Sequence, residues 1–244
     1  MVEETHDELF KGLTAALERD TRINLREWPI HIEINKESIV LAGRMENIVA
    51  KKAALLTAQE MAENRNLIDQ LRIVPVEHKE DGELQEQVIK ALLEESALTE
   101  CSLQVKENGN FKTIRQISKE PGSLIKVSMQ EGVVTLTGHV ISLSHSRLAE
   151  VLTWWTTGCE SVNNQLEVIP AEEDTDDEIC DAVHIVLEKD PVVPATQLVV
   201  SVKNGTVTLD GLVLNQEEKK FAVFDAWYVS GVKNVIDQIK VEGE

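Results

Sequence analysis

Val207-Thr-Leu-Asp-Gly211 decides the fold, because the chain writes it three times. Ile39-Val-Leu-Ala-Gly43 and Val134-Thr-Leu-Thr-Gly138 carry the same apolar alternation into the same glycine. Registering the glycines gives offsets of 95 and 73 residues. Those offsets also align Leu67-Ile-Asp-Gln-Leu71, Val162-Asn-Asn-Gln-Leu166 and Val235-Ile-Asp-Gln-Ile239 without a gap, and bring Ala54, Ala149 and Ala222 into register. The period is far longer than one strand or one helix pair. Each copy is therefore a small domain, not a solenoid unit.

Upstream of each glycine the apolar spacing is helical. Leu9, Leu13, Ala16 and Leu17 share one helix face, as do Leu84, Val88, Ala91 and Leu92, and Ile179, Val183, Val186 and Leu187. A half-buried strand follows: Ile30, Ile32 and Ile34 alternate with polar residues, as do Ile125, Val127 and Met129, and Leu198, Val200 and Val202. Gln130-Glu-Gly132 and Lys203-Asn-Gly205 predict tight turns into an antiparallel partner. Glu37 replaces the turn glycine in copy one, so that turn must differ. A second helix carries Ala50, Ala54 and Ala58, small enough to sit close to a sheet. Gly158 and Gly231 are expected to end it at C′, where copy one has Glu63. A last strand, such as Val235 to Val241, closes the unit. The expected class is α+β: three tandem two-layer sandwiches of order α-β-β-α-β, each with two helices on one face of a three-stranded mixed sheet. The modules fall at 1–76, at 77–170 with an insertion at 101–122, and at 171–244. The linkers lie near Val76–Gly82 and Pro170–Thr175.

Hydrophobic residues make up 42% of the 244, enough for packed cores, but aromatics only 4%, so those cores rest on Val, Ile, Leu and Ala. The net charge of −19 divides as −3, −6 and −10 over the three modules. Such a field repels phosphate, so nucleic acid is not an expected partner, and charge attraction to anionic membrane is unfavourable. Cys101, Cys159 and Cys180 form no CxxC pair and are expected to be reduced structural thiols. The first residues are acidic and no apolar run is long enough to span a bilayer. As written, the chain is expected to be soluble and cytoplasmic, or periplasmic if a leader has been removed.

The run Val200-Ser-Val-Lys-Asn-Gly-Thr-Val-Thr-Leu-Asp-Gly211, the ending Gly231-Val-Lys-Asn-Val and the α-β-β-α-β order resemble the BON family of bacterial osmotic-stress and nodulation-type modules. Copy three carries the resemblance best. Copy two is close but interrupted, and copy one is the most divergent. The resemblance implies a bacterial, non-catalytic protein of stress physiology, associated with phospholipid or membrane.

Two features are candidates for a ligand or partner surface. Trp154-Trp155 and Trp227-Tyr228 occupy equivalent positions late in the second helix, where copy one has Gln59-Glu60. Neighbours on a helix point about 100° apart, so one ring of each pair can pack inward while the other faces out. The second feature is the 101–122 insertion, locally basic through Lys106, Lys112, Arg115 and Lys119 against Glu107 and Glu120. Its alternation suits an added hairpin, and Lys112 and Arg115 are its candidate contact residues. Glu172-Glu-Asp-Thr-Asp-Asp-Glu178 lacks the glycine and distal Glu of a calcium loop and is expected to be a linker and helix start.

The six histidines show no metal-ligand spacing, and no GxSxG, Walker A, GxGxxG or HExxH motif occurs. No enzyme, metal or cofactor is expected. Three binding readings follow: a phospholipid- or membrane-associated protein, a protein–protein adaptor indifferent to lipid, and a soluble cation sensor. Oligomeric state is not legible.

Overall fold

The isoleucine alternation at 30, 32 and 34 becomes the edge strand of the first sheet in the computed structural model, which describes residues 2–118 and 122–243. By its internal packing the chain divides into Met1–Val74 and Pro75–Glu244.

The first unit runs α1 (Val2–Arg19), β1 (Ile30–Ile34), β2 (Ser38–Met45), α2 (Ile48–Met61) and β3 (Asn66–Ile73). The sheet order is β1-β2-β3, antiparallel then parallel. Leu13 and Leu17 of α1 and Ala50, Ala53, Ala54 and Ala58 of α2 pack over Ile39, Leu41 and Leu71 in one buried core. The alanines give α2 a smooth face, so helix and sheet approach closely. Without a glycine, the β1–β2 turn is held by Asn35, whose Oδ1 accepts from the N–H groups of Glu37 and Ser38 at 2.9 and 2.8 Å.

The second unit holds the other two copies. One runs α3 (Asp81–Glu94), β4 (Cys101–Glu107), β5 (Asn110–Arg115), β6 (Ser123–Gln130), β7 (Val133–Val140), α4 (Leu143–Trp154) and β8 (Ser161–Val168). The other runs α5 (Asp176–Lys189), β9 (Leu198–Lys203), β10 (Thr206–Val213), α6 (Gln216–Tyr228) and β11 (Asn234–Val241). The strand orders are β5-β4-β6-β7-β8 and β11-β10-β9. The three-stranded expectation thus holds for the first and last sheets and is corrected in the middle one. There the insertion adds a hairpin, with β4 parallel to β6 and β5 at the edge. Lys119 and Glu120 lie outside the described residues.

Pairing register repeats between sheets. Gly43, Gly138 and Gly211 stand opposite Ile30, Ile125 and Leu198. Their φ angles are 147°, 115° and 147°, and a Cβ there would come within 2.8, 2.1 and 2.2 Å of a backbone carbonyl oxygen of the neighbouring strand's start. The shared glycine is therefore a close-approach residue.

The second helix ends earlier than its glycines suggest. Trp155 and Val229 are the C-caps, so Gly158 and Gly231 lie beyond C′. All three aligned positions still need a left-handed backbone: φ is 94° at Gly158, 92° at Gly231 and 54° at Glu63, which does sit at C′ of α2.

Candidate interaction surfaces

The β6–β7 and β9–β10 turns of the second unit are each tied to the first helix of their copy. The Asp176 carboxylate accepts from the N–H groups of Asn204 and Gly205 at 2.6 and 2.9 Å. Asp81 does the same for Glu131 and Gly132 at 2.8 and 2.9 Å. A second tie joins each second helix to its last strand. Lys219 Nζ donates to the Ile239 carbonyl at 2.6 Å and pairs with Asp237 at 3.1 Å. Lys51 makes the equivalent bond to the Leu71 carbonyl and pairs with Asp69 at 2.8 Å. In the middle copy the pair is Ser146 and Asn164, at 3.0 Å. The aligned Asp-Gln-Leu, Asn-Gln-Leu and Asp-Gln-Ile blocks thus fasten the second helix to the last strand.

Helix α4 is buried nearly all round, including Ser146, Arg147, Glu150 and Thr153. A helix with no solvated face lies between other elements, and α4 packs against α3, α5 and α6 as well as its own sheet. Arg147 crosses from α4 to the last copy. Its Nε donates to the Ser230 carbonyl at 2.9 Å and its Nη2 to Asp174 at 2.5 Å. Glu172 accepts from Leu143 N–H, at the start of α4, at 2.8 Å. Lys189, the last residue of α5, reaches Glu95 at 2.8 Å. Burial opposes the Glu95 charge, but the Ala97 N–H, Lys189 and Ser96 together hold its carboxyl below the ordinary range. The expected linker of carboxylates is therefore a strap in which Glu172, Asp174 and Asp176 each have a structural partner.

Among the aromatic candidates, Trp154 is 7% exposed and Trp227 2%. Both are packing residues. Trp155 and Tyr228 are half-buried and turn into the same joint: the Tyr228 ring lies 5.9 Å from that of Trp154, and Trp155 faces Asp225. Asp225 is 1% exposed. Burial first, and then the Asp190 carboxylate facing it, push its carboxyl up to about 8. Its Oδ2 has no hydrogen-bond partner among the described residues. Burial, with the Asp225 charge adding to it, pushes the Tyr228 phenol up to about 12. Arg147, Asp190 and Asp225 were not legible as joint residues. Their one signal is a charge placed on the inward face of a helix or at its end.

Of the hairpin candidates, Arg115 is committed internally. Its guanidinium donates to the carbonyls of Cys101, Leu93 and Leu98 at 2.8, 3.4 and 2.5 Å. This closes the end of α3 against the hairpin. Lys112 is exposed and meets Glu107 at 3.3 Å. On the opposite sheet face Phe111 is 45% exposed, with Lys126 Nζ 5.4 Å from its ring centre. The structure brings the Trp154 and Tyr228 rings together, commits Arg115 to the end of α3 and sets Lys112 against Glu107. Among the described residues no group of three or more His, Cys, Asp or Glu is placed to hold a metal ion, and no helix is long and apolar enough to cross a membrane.

The BON domain family model matches residues 113–170 and 175–243. No curated protein matches the chain. Among solved structures, one similar chain is the C-terminal domain of CdsD, a structural protein of the Type III secretion system of Chlamydia trachomatis. It is 16% identical, with a TM-score of 0.24, and the match covers 94% of this chain and 96% of that one. A second CdsD structure gives 16% identity and a TM-score of 0.21, covering 93% and 91%. Scores this low carry no argument about function.

Proposed function

The chain belongs to the BON domain family, and from that premise we propose that it is a non-catalytic protein–protein adaptor built from three such modules, at 1–76, 77–170 and 171–244. The observation that carries this reading is the use made of the aromatics. Trp154 and Trp227 are buried, and Trp155 and Tyr228 are turned into the joint between α4 and α6. A membrane-binding face needs such rings displayed or a basic patch. Here the Trp154 and Tyr228 rings meet between α4 and α6, and the net charge is −19. Rigid coupling of modules 2 and 3 suits a scaffold that presents surfaces at fixed separation. The first module, outside the matched segments, is included because its element order and strand register repeat those of the others.

Flotation of the whole chain with zwitterionic and anionic liposomes, at low and moderate salt, tests the reading. The expected result is no flotation in any condition. Flotation with either vesicle would restore the phospholipid association that the family resemblance implies. Raising potassium or calcium is expected to leave the melting temperature unchanged, and a clear rise would favour the cation sensor through linkage.

A further inference from the structure

We infer that the free edge of β5 is a docking site for an extended acidic segment of a partner protein, which adds to the five-stranded sheet as a sixth strand. The inference rests on the adaptor reading and names the kind of partner. Among the described residues β5 is paired on one side only, with β4. Its turn, Asn108-Gly109, has φ angles of 50° and 85°, so the hairpin is a two-residue type I′ connection. Glu107 and Asn110 flank that turn and are the first hydrogen-bonded pair, so bonded and non-bonded pairs alternate from there. Phe111, opposite Lys106, and Thr113, opposite Gln104, fall in the non-bonded positions. Their backbone N–H and C=O groups therefore point away from β4, toward solvent. Every residue from Asn110 to Ile114 is exposed, Ile114 by 36%.

The charge around this edge selects the occupant. Lys106 stands directly across from Phe111, and Lys126 lies over its ring. Two ammonium groups thus flank an exposed apolar side chain on a chain of net charge −19. A strand alternating carboxylates with apolar residues would satisfy the open backbone groups, the ring and both lysines. A second copy of β5 would bring Lys112 of that strand, and Lys106 and Lys126 behind it, against their own kind, which guards against self-pairing. The bulge between Leu103 and Gln104 limits the pairing length further.

The test uses the whole chain and two capped nine-residue peptides, one alternating Glu with Val and one alternating Lys with Val, titrated by calorimetry at low salt. The Glu peptide is expected to bind, more weakly as salt rises, and the Lys peptide not to bind. Thr113→Pro removes an outward N–H that β4 does not use, and is expected to weaken the Glu peptide at least about tenfold, roughly 1.4 kcal/mol. The double variant Lys106→Glu/Lys126→Glu should do the same. If circular dichroism shows that Thr113→Pro does not fold, the double variant decides. Failure of the Glu peptide to bind overturns the proposal. So does unchanged binding in the folded variants, or a dimer of the unmodified chain that the variants abolish. Flotation reads the adaptor proposal separately, so a chain that ignores both liposomes and peptides loses only the strand-docking site.

Discussion

At the scale of single residues, the three copies act as controls for one another. The position after the second helix needs a left-handed backbone in every copy, yet only two have glycine there. Glu63 holds φ at 54° with its side chain in solvent, paired loosely with Arg65 at 3.3 Å. A left-handed backbone costs a non-glycine residue about 1 kcal/mol, more than an exposed ion pair returns. Glu63→Gly is therefore expected to stabilise the first unit by about 0.5–1 kcal/mol, read as a higher denaturant midpoint with unchanged slope. Loss of stability would mean that the Arg65 contact outweighs the backbone term.

Elements were the most legible level. Periodicity located the helices and the strand pairs shared by the copies, because each buries one face and the spacing records it. It did not place the ends of α4 and α6, since the left-handed glycines beyond them resemble C′ residues. It also left the inserted hairpin's strand order open, because parallel pairing of β4 with β6 is a long-range choice with no local signature. The helix-to-turn clamp was invisible for a related reason: Asp176 and Gly205 are neighbours only after the sheet has formed. Hydrogen bonds from Gly205 and Asn204 hold the Asp176 carboxyl below the ordinary range. A depressed native pKa contributes stability above the unfolded value near 3.8 and loses it as pH falls through the native one. Asp176→Ala should therefore lower the melting temperature at pH 7, and the gap to the unmodified chain should close as pH drops below about 4. A gap that persists unchanged at pH 2.5 would show that the clamp works by shape, not by charge.

For the whole molecule, the consequential feature is the joint of α4 with α5 and α6, and the sequence concealed it. Ser146, Arg147 and Glu150 look like a solvated stripe of α4 but are buried, because the helix is covered by elements far away in sequence. Arg147 meets a carbonyl at Ser230, and no local pattern announces that contact. The same joint confines Asp225, facing Asp190 of the α5 end and the Trp155 ring, with Oδ2 unpartnered. Its carboxyl, raised to about 8, is neutral in the folded chain at pH 7 and charged in the unfolded one. Between pH 4 and 8 the folded state thus binds a proton that the unfolded state has released. Stability from this group is full below about 4, falls as pH rises, and is lost once pH passes the native value. Asparagine has nearly the same shape and no proton to lose. Asp225→Asn should match the unmodified chain at pH 4 and exceed it increasingly toward pH 9. The gain is expected to reach on the order of 5 kcal/mol, or about 10–20 °C for a unit of this size. Hydrogen exchange should place the added protection in α4, α5 and α6, the helices that meet at the joint. Equal stability of the two proteins at pH 9 would mean that the joint does not raise the Asp225 carboxyl. The joint would then rest on Arg147, the Lys189–Glu95 pair, Glu172 and the aromatic rings.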